Sequence, residues 1–543
     1  MATTATHLIN QWDTFHQNGP FPAKMVLSTK PEARHIMPIA IDRYNDAADE
    51  IRRLIGDAVA HQERFRPYGS TWSLNNIAHQ QDRMHHNAFM NIKIDISAAD
   101  VHQQSPYTSD NLFFFQCGNT IKEISRYLFD KGKSLKTSGA SNGQTIAGGI
   151  STGIHGSAMD VGSVQDYVVG INLIIGPGAS DVVYIERHTR PALSNAFATK
   201  VKSRVIRNDA LFNAALVGLG SFGFIHGVVL EVEDIFLLKR YVKYIKKSEA
   251  LDLAENMDFP NSTFVIPSET DANGKPLRPY HFKVYVNPYN PNEDYVAEVI
   301  YKKPFTPGYP DPIPSVRKAV YKELPDFMVM LASKYNRVIP LIINAMKGTL
   351  FPQLDSETTG TLGEIFWDSL HKGQAFAVTI GIDNKDTTKA LDAFLHFVNT
   401  EGPVPGAIAF RFAKATEATL GFTKYPMTCI LEMDGVLWDN GPGIISFSKF
   451  LTRFIEVFQQ ANISFTMHWG KNADWAFPGL VDYMFGNKKN EWINARSALL
   501  TQQMADVFSN DFIDDTGLSN YNAAANPGLI VSLDKSGAAD PTV

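Results

Sequence analysis

Between Lys136 and Asp166 the chain concentrates two kinds of group that hold phosphate: glycine backbone and small hydroxyls. Seven glycines fall there, Gly139, Gly143, Gly148, Gly149, Gly153, Gly156 and Gly162. Interleaved with them are Ser138, Thr145 and Thr152. Glycine lets the backbone approach a ligand closely, and successive exposed amides form a cradle for an anion. The chemistry implied is the holding of a nucleotide; the same composition, taken alone, also fits a long surface loop. A second glycine cluster, GLGSFG at 218–223, matches the letters of a dinucleotide fingerprint. That fingerprint must follow a strand and open a helix. Here the strand-like FIHGVVLEVE follows, which rejects it. Phosphate-loop and His-Glu-x-x-His patterns do not occur. Taken by itself, Arg411 in AIAFRFAKA reads as a strand residue in a surface salt bridge.

The elements around these residues alternate between helix and strand patterns. Asp42 to Gln62 carries Ala47, Ile51, Leu54, Ile55 and Val59 at helical spacing, with Asp42 as N-cap. The first 35 residues carry mixed signals and are expected to wrap the surface. FRPYGSTWSLNN is a short extended run turning at Gly69, 92–97 alternates as a half-buried strand, and 112–118 is a buried strand. Thr120 to Lys131 is a helix opened by a Thr120–Glu123 capping box and closed by Gly132. Runs 167–176 and 181–187 are strands joined by a Gly-Pro-Gly turn, and Asp209 to Leu216 is a short helix. The first 235 residues are therefore α+β, without a strict βαβ rhythm. Beyond Ile235, 242–247, 262–267 and 281–286 are strand candidates, and Val316 to Met346 is helical. Strands are expected at 375–383, 407–415 and 428–436, the last two paired. Helices are expected at 387–402 and Ile444 to Asn462, then the short element MHWGK, and a frayed tail from Ala538.

A chain of 543 residues is too long for one ordinary core. Its 44% apolar and 20% charged content suits a folded enzyme. A net charge of −6 gives no general attraction to nucleic acid. Only Cys117 and Cys429 are present, which excludes a disulfide framework; Cys117 reads as a core thiol. The longest apolar region, Phe327 to Leu350, is broken by Lys334, Arg337, Pro340 and Lys347, so no transmembrane segment is expected. The first residues lack a basic region followed by an apolar run, which points to the cytoplasm unless a leader has been removed.

Four segments occur in a fixed order: RPYGSTWS, CGNTIKEIS, GQTIAGGISTGIHG with GSVQDYVVGINLI, and GLGSFGFIHGVVLEVE. This order resembles the FAD-binding domain of the vanillyl-alcohol oxidase and para-cresol methylhydroxylase (PCMH-type) flavoprotein superfamily. Its nearest likeness there is to the branch of aldonolactone and alditol oxidases and type II cholesterol oxidases. The likeness covers about residues 60–235. It returns at AFRFAKA and MHWGK, which resemble the substrate-side Arg strand and His-Trp-Gly-Lys element of the aldonolactone branch.

The resemblance implies an α+β architecture with a two-part PCMH-type FAD-binding domain over 1–235. A substrate or cap domain would cover 236–460, and a segment over 461–543 would return to the flavin. It implies that Gly69, Ser70, Thr71, Trp72 and Ser73 form the turn at the FAD pyrophosphate. Ser138, Gly139, Thr145, Ile146, Gly148, Gly149, Thr152, His155 and Gly156 would form a second loop, and Gly220, Gly223 and Ile225 would line the flavin and adenine. Arg411, His468 and Lys471 become the catalytic candidates, and no metal is implied. Many relatives carry Gly-x-x-His-Ser in the first loop, with the histidine joined covalently to the flavin. Trp72 occupies that slot and cannot form the bond, so noncovalent FAD is expected. Relatives often place a glutamate two positions before the arginine; here it is Ala409, with Glu432 a possible replacement. The implied activity is oxidation of an alcohol, with hydride passing to flavin N5 and electrons then to oxygen or another acceptor. The large apolar residues of 327–346 and 363–370 would roof a pocket for a small-molecule alcohol, an apolar one among the options. Action on a C–N bond or phenolic carbon, or flavin binding with little turnover, are the alternatives.

Overall fold

The computed structural model of the protein describes residues 1–139, 142–312, 316–317, 338–345, 351–366, 368–369, 374–438 and 443–525. Three main sheets carry the architecture. The first has four strands in the order Thr3–Leu8, Met25–Lys30, Arg83–His86, Phe65–Tyr68. The first 35 residues thus build a sheet edge and do not merely wrap the surface. Thr3–Leu8 pairs antiparallel with Met25–Lys30, while Arg83–His86 runs parallel to both its neighbours.

The second sheet has six strands in the order Arg204–Arg207, Val182–Glu186, Val168–Ile174, Phe224–Glu231, Leu112–Gln116, Lys93–Asp95. Every residue of Val168–Ile174 is buried, because helices and loops cover both faces of this central strand. The strand Phe224–Glu231 directly follows GLGSFG, which is why that cluster cannot open a nucleotide-binding helix. Helix Ala40–Ala60 packs here through Ala47, Ile51, Leu54 and Ile55. It begins two residues before Asp42; the N-cap is Ile39, which supplies no side-chain bond, and Asp42 sits in the first turn. The capping box of helix Ile121–Asp130 forms as expected: Thr120 Oγ1 accepts from the Glu123 amide, and Glu123 accepts from the Thr120 amide.

The third sheet has eight antiparallel strands in the order Glu357–Gly360, Phe236–Ile245, Tyr295–Pro304, His281–Val286, Gly406–Lys414, Met427–Val436, Ala375–Asp383, Phe465–Met467. Helices Thr387–Thr400 and Phe447–Gln460 pack against each other through Phe394 and Phe454, with ring centroids 5.0 Å apart. Phe450 reaches from the second helix to Phe376 on the sheet, at 6.0 Å. One expectation fails, and one is described only in part. Residues 262–267 form no strand. Of Val316 to Met346, only Val316–Arg317, a short strand, and residues 338–345, containing helix Ile339–Ala345, are described. The rest of that region, Trp367 and Leu370 of 363–370, and the tail from Ala538 lie outside the described residues.

Past residue 471 the described residues form four helices, Leu480–Phe485, Asn487–Leu499, Gln502–Val507 and Asp511–Asp515. They pack back on the N-terminal sheets. Trp492 Nε1 donates to Val217 O at 3.1 Å, and Asn510 Nδ2 donates to Ile77 O and His79 O at 3.0 and 2.8 Å. Cys117 and Cys429 are both free and buried. No helix among the described residues is long and apolar enough to cross a membrane. Replacing Thr120 by Ala removes one half of the capping box, and the expected loss is about 1 kcal/mol. Urea unfolding followed by fluorescence should show a lowered midpoint with an unchanged slope.

Candidate active site

A cavity of about 370 Å³ opens where the three glycine-containing segments meet one face of the eight-stranded sheet. Its first wall is the turn after strand Phe65–Tyr68. Gly69 is held there by sterics: a Cβ at that position would lie 1.9 Å from Thr145 Oγ1, on the second wall. Thr71 takes a left-handed backbone conformation at φ 58°, which a β-branched residue adopts only when its surroundings hold it there. Those surroundings are visible. The Phe15 amide donates to Thr71 O at 2.8 Å, and Phe15 stacks on Trp72 with centroids 4.2 Å apart. Among the described residues, the amides of Ser70, Thr71, Trp72 and Ser73 donate to no protein group.

The same turn is stitched to the C-terminal element. The Leu74 amide donates to Gly470 O at 2.9 Å. Asn75 Nδ2 donates to Trp469 O and Lys471 O, both at 2.8 Å, and Asn472 Nδ2 donates to Leu74 O at 2.7 Å. These bonds bring residues almost 400 positions apart to one cavity.

In the second wall Thr145 caps helix Ile146–Thr152, which ends at Gly153 in the left-handed region. Gly139, Thr145, Gly148, Gly149, Thr152 and His155 line the cavity. Ser138, Ile146 and Gly156 do not. Ser138 is fully buried, with its hydroxyl on Gly139 O; Ile146 belongs to the core; and a Cβ on Gly156 would strike Thr137 Oγ1. Their glycine-loop context is right, but their side chains or Cα face inward, and their role is to support the wall.

Gly220, Gly223 and Ile225 line the third wall. Its shape depends on Arg66, which the sequence reading did not single out. This guanidinium is 2% exposed and has no carboxylate partner among the described residues. It donates to Leu219 O at 2.5 Å, Gly220 O at 3.1 Å and Ile77 O, tying the first and third walls together. Burial, with a contribution from Arg496, brings Arg66 down to about 9.

The fourth side is charged. Arg411, His468 and Lys471 all line the cavity. Cross-strand register sets Lys283 opposite Arg411, and Glu432 opposite both Ala409 and Thr379. Glu432 is 1% exposed. One of its oxygens meets Arg411 Nη2 at 2.7 Å and the other Lys283 Nζ at 2.9 Å. Burial alone would raise this carboxyl, but Arg411 and Lys283 outweigh it and hold it well below the usual carboxylate range. So Arg411 is not in a surface pair, and Glu432, opposite Ala409 on the neighbouring strand, is a buried anion behind the cavity wall. Its missed companion is Asp434, two residues further on the same strand face, lining the cavity with an oxygen 3.9 Å from Lys471 Nζ. The alternation in ILEMDG was the available signal.

Two histidines complete this corner, with ring centroids 5.3 Å apart and Phe422 within 5.0 Å of each. Burial, then the charge of Arg411 and its neighbour His468, holds His155 well below its ordinary value. Burial, then Lys471 and Arg411, brings His468 down to about 3. Both rings are neutral near pH 7. His155 Nδ1 lies 3.0 Å from Gly156 O, which assigns its proton to that nitrogen; His468 Nδ1 accepts from the Gly470 amide at 3.0 Å, which places its proton on Nε2.

No family model matches the chain. A segment of 129 residues is 36% identical to L-gulonolactone oxidase 3 of Arabidopsis thaliana, covering 23% of this chain and 19% of that protein. A segment of 219 residues is 24% identical to D-arabinono-1,4-lactone oxidase of Candida glabrata, covering 40% of this chain and 37% of that protein. The chain therefore matches well under half the length of these relatives. The crystal structure of cholesterol oxidase from B. sterolicum superposes with a TM-score of 0.64 at 14% identity, over 95% of this chain and 97% of that one. Over these segments the chain is similar to lactone oxidases, and it shares the fold of cholesterol oxidase. Both findings agree with the superfamily branch that the four ordered segments resemble.

The cavity also suits the group such a fold implies. Gln144 Oε1 and Arg411 Nε line it without a protein partner, and the unpaired amides of Ser70 to Ser73 face an anion-sized need. Removing the shared carboxylate should be costly. Glu432→Gln leaves Arg411 and Lys283 facing each other in the sheet, and the expected loss is roughly 3–5 kcal/mol. Because the folded Glu432 titrates below its unfolded value, its contribution is present above the ordinary carboxylate range and fades as pH falls through the depressed value. Urea unfolding of wild type and Glu432→Gln at neutral pH and in acid should show the two midpoints converging in acid.

Proposed function

We propose that the chain is an FAD-dependent oxidoreductase that oxidises a CH–OH group. One observation carries the reading: three glycine-bearing walls and a cationic corner, drawn from distant parts of the chain, enclose a single cavity. In this proposal residues 1–235 form the FAD-binding part, 236–460 the substrate or cap part, and 461–543 the segment returning to the flavin. FAD bound there would supply two-electron chemistry, accepting a hydride from the substrate carbon. The amides of Ser70 to Ser73 would hold its pyrophosphate. Gly139, Gly148, Gly149 and Gly220 would let the backbone approach the rings. Arg411 and Lys471 would counter the negative charge that reduction places on the flavin. Their sum with Lys283 against Glu432 and Asp434 leaves one positive charge in excess, in the direction this role requires.

The substrate in this reading is a small-molecule alcohol, and the electron acceptor is oxygen or another oxidant. The partial likeness to lactone oxidases favours a hydroxylated ring, while the likeness in fold to cholesterol oxidase favours an apolar body. Trp72, stacked on Phe15, leaves the first loop without a side chain able to attach the flavin.

The deciding experiment is anaerobic mixing of the FAD-loaded protein with a panel of aldonolactones, polyols, sterols and aromatic alcohols. Bleaching of the flavin absorbance by at least one of them is expected; bleaching by none refutes the reading. Acid precipitation should release the yellow colour into the supernatant, and colour kept in the pellet contradicts noncovalent binding. Lys471→Ala should slow flavin reduction about 10²-fold or more without abolishing FAD binding, by analogy with loss of one electrostatic stabiliser.

A further inference from the structure

We infer that Asp434 is the general base of this oxidation, taking the substrate hydroxyl proton as the C–H hydride leaves. The inference rests on the oxidoreductase reading and adds the residue that the reading lacks. Such a step needs a group that lines the cavity, has a free lone pair and is not already committed to a partner. The titratable groups of the charged corner can be taken in turn.

Glu432 has both oxygens engaged, one by Lys283 and one by Arg411, and does not line the cavity. Arg411 remains protonated and Lys471 is a cation paired with Asp434. His155 and His468 are neutral, but burial and the surrounding cations make both poor proton acceptors. Asp434 differs from all of them. It lines the cavity, its side chain is 56% exposed, and among the described residues it accepts no hydrogen bond. Its nearest cation, Lys471, stands off at 3.9 Å. Across the sheet its register neighbours are Ala377 and Ala407, whose methyl groups leave the carboxylate proud of the surface.

The surroundings also tune it. The protein surrounding the cavity, and then the charge of Glu432, pushes its carboxyl above the ordinary range although the side chain is reached by solvent; Lys471, Lys283 and Arg411 pull the other way. Two carboxylates two residues apart are thus driven in opposite directions. Glu432 is locked as an anion, and Asp434 is poised to gain and lose a proton. With FAD bound, the group would supply the two-electron acceptor for the hydride of the C–H bond. The O–H bond breaks with its proton going to Asp434, and the carbon–oxygen bond becomes a carbonyl. Asp434 then returns its proton to solvent.

The test uses the FAD-loaded protein and the panel member that bleaches it. Asp434→Asn keeps the shape and removes the proton acceptor. The expected result is a fall in the flavin reduction rate of about 10²-fold or more, with FAD affinity unchanged by absorbance titration. In wild type the rate should rise with pH through a limb above the ordinary aspartate range, and that limb should be absent from Asp434→Asn. Infrared titration of the holoproteins, independent of turnover, should show a late-titrating carboxyl band in wild type that Asp434→Asn lacks. Asp434→Glu should recover part of the rate with a displaced limb, which a purely structural role would not produce. An Asp434→Asn protein reduced within about threefold of wild type, with the same limb, overturns the base assignment and leaves the oxidoreductase reading standing. A wild type that binds FAD but is bleached by no substrate overturns that reading, and the base role with it.

Discussion

Glu432 is the interaction on which the charged end of the cavity depends. A carboxylate that is almost wholly buried must find partners, and here it finds one on each side: Arg411 from the adjacent strand and Lys283 from the strand beyond. Because both partners are long cations, the shared anion decides where their heads lie. It holds Arg411 with its Nε unpaired at the cavity wall, and it leaves Lys471 and Asp434 to each other. A pair of this kind adds little net stability compared with apolar packing, but it is expensive to break. Its value is in position: three strands of one sheet are registered by charge at the point where chemistry is proposed.

The opposite end of the cavity is organised by sterics and neutral hydrogen bonds. Gly69 lets the first turn touch Thr145, and Arg66 uses three carbonyl oxygens to bind the first turn to the third wall. A buried guanidinium without a carboxylate is unusual, and it is tolerated because it donates to three carbonyls, two of which, Leu219 O and Gly220 O, have no other protein donor among the described residues. The bonds from Asn75 and Asn472 then close the ring by fixing the 468–472 element against the same turn. The two ends differ in character as their proposed ligands differ: amides and glycine for a diphosphate, fixed charge for a reacting ring.

Local signals were enough wherever an element is stabilised by its own pattern. The Thr120–Glu123 box, the alternation in 375–383 and the helical spacing in 40–60 each appear in the structure near their expected bounds. They failed where tertiary contacts decide. Residues 262–267 have strand composition but pair with nothing, and Thr3–Leu8 becomes a strand only because Met25–Lys30 lies beside it. The helices beyond residue 480 escaped notice because their apolar residues face a surface made by another part of the chain.

For the site, the sequence by itself determined the three glycine-bearing segments and, through the resemblance their order carries, the absence of a histidine at Trp72 and Arg411, His468 and Lys471 as the polar groups of interest. Chemistry of that kind is written in single residues and short spacings. Only the tertiary structure decided that Ser138, Ile146 and Gly156 stand behind the wall, that Arg66 joins two of the walls, and that Glu432 is held between Arg411 and Lys283. It also set Asp434 at the cavity beside Lys471. The physical reason is that burial and charge pairing belong to neighbours across a sheet, and strand register, not sequence distance, makes them neighbours.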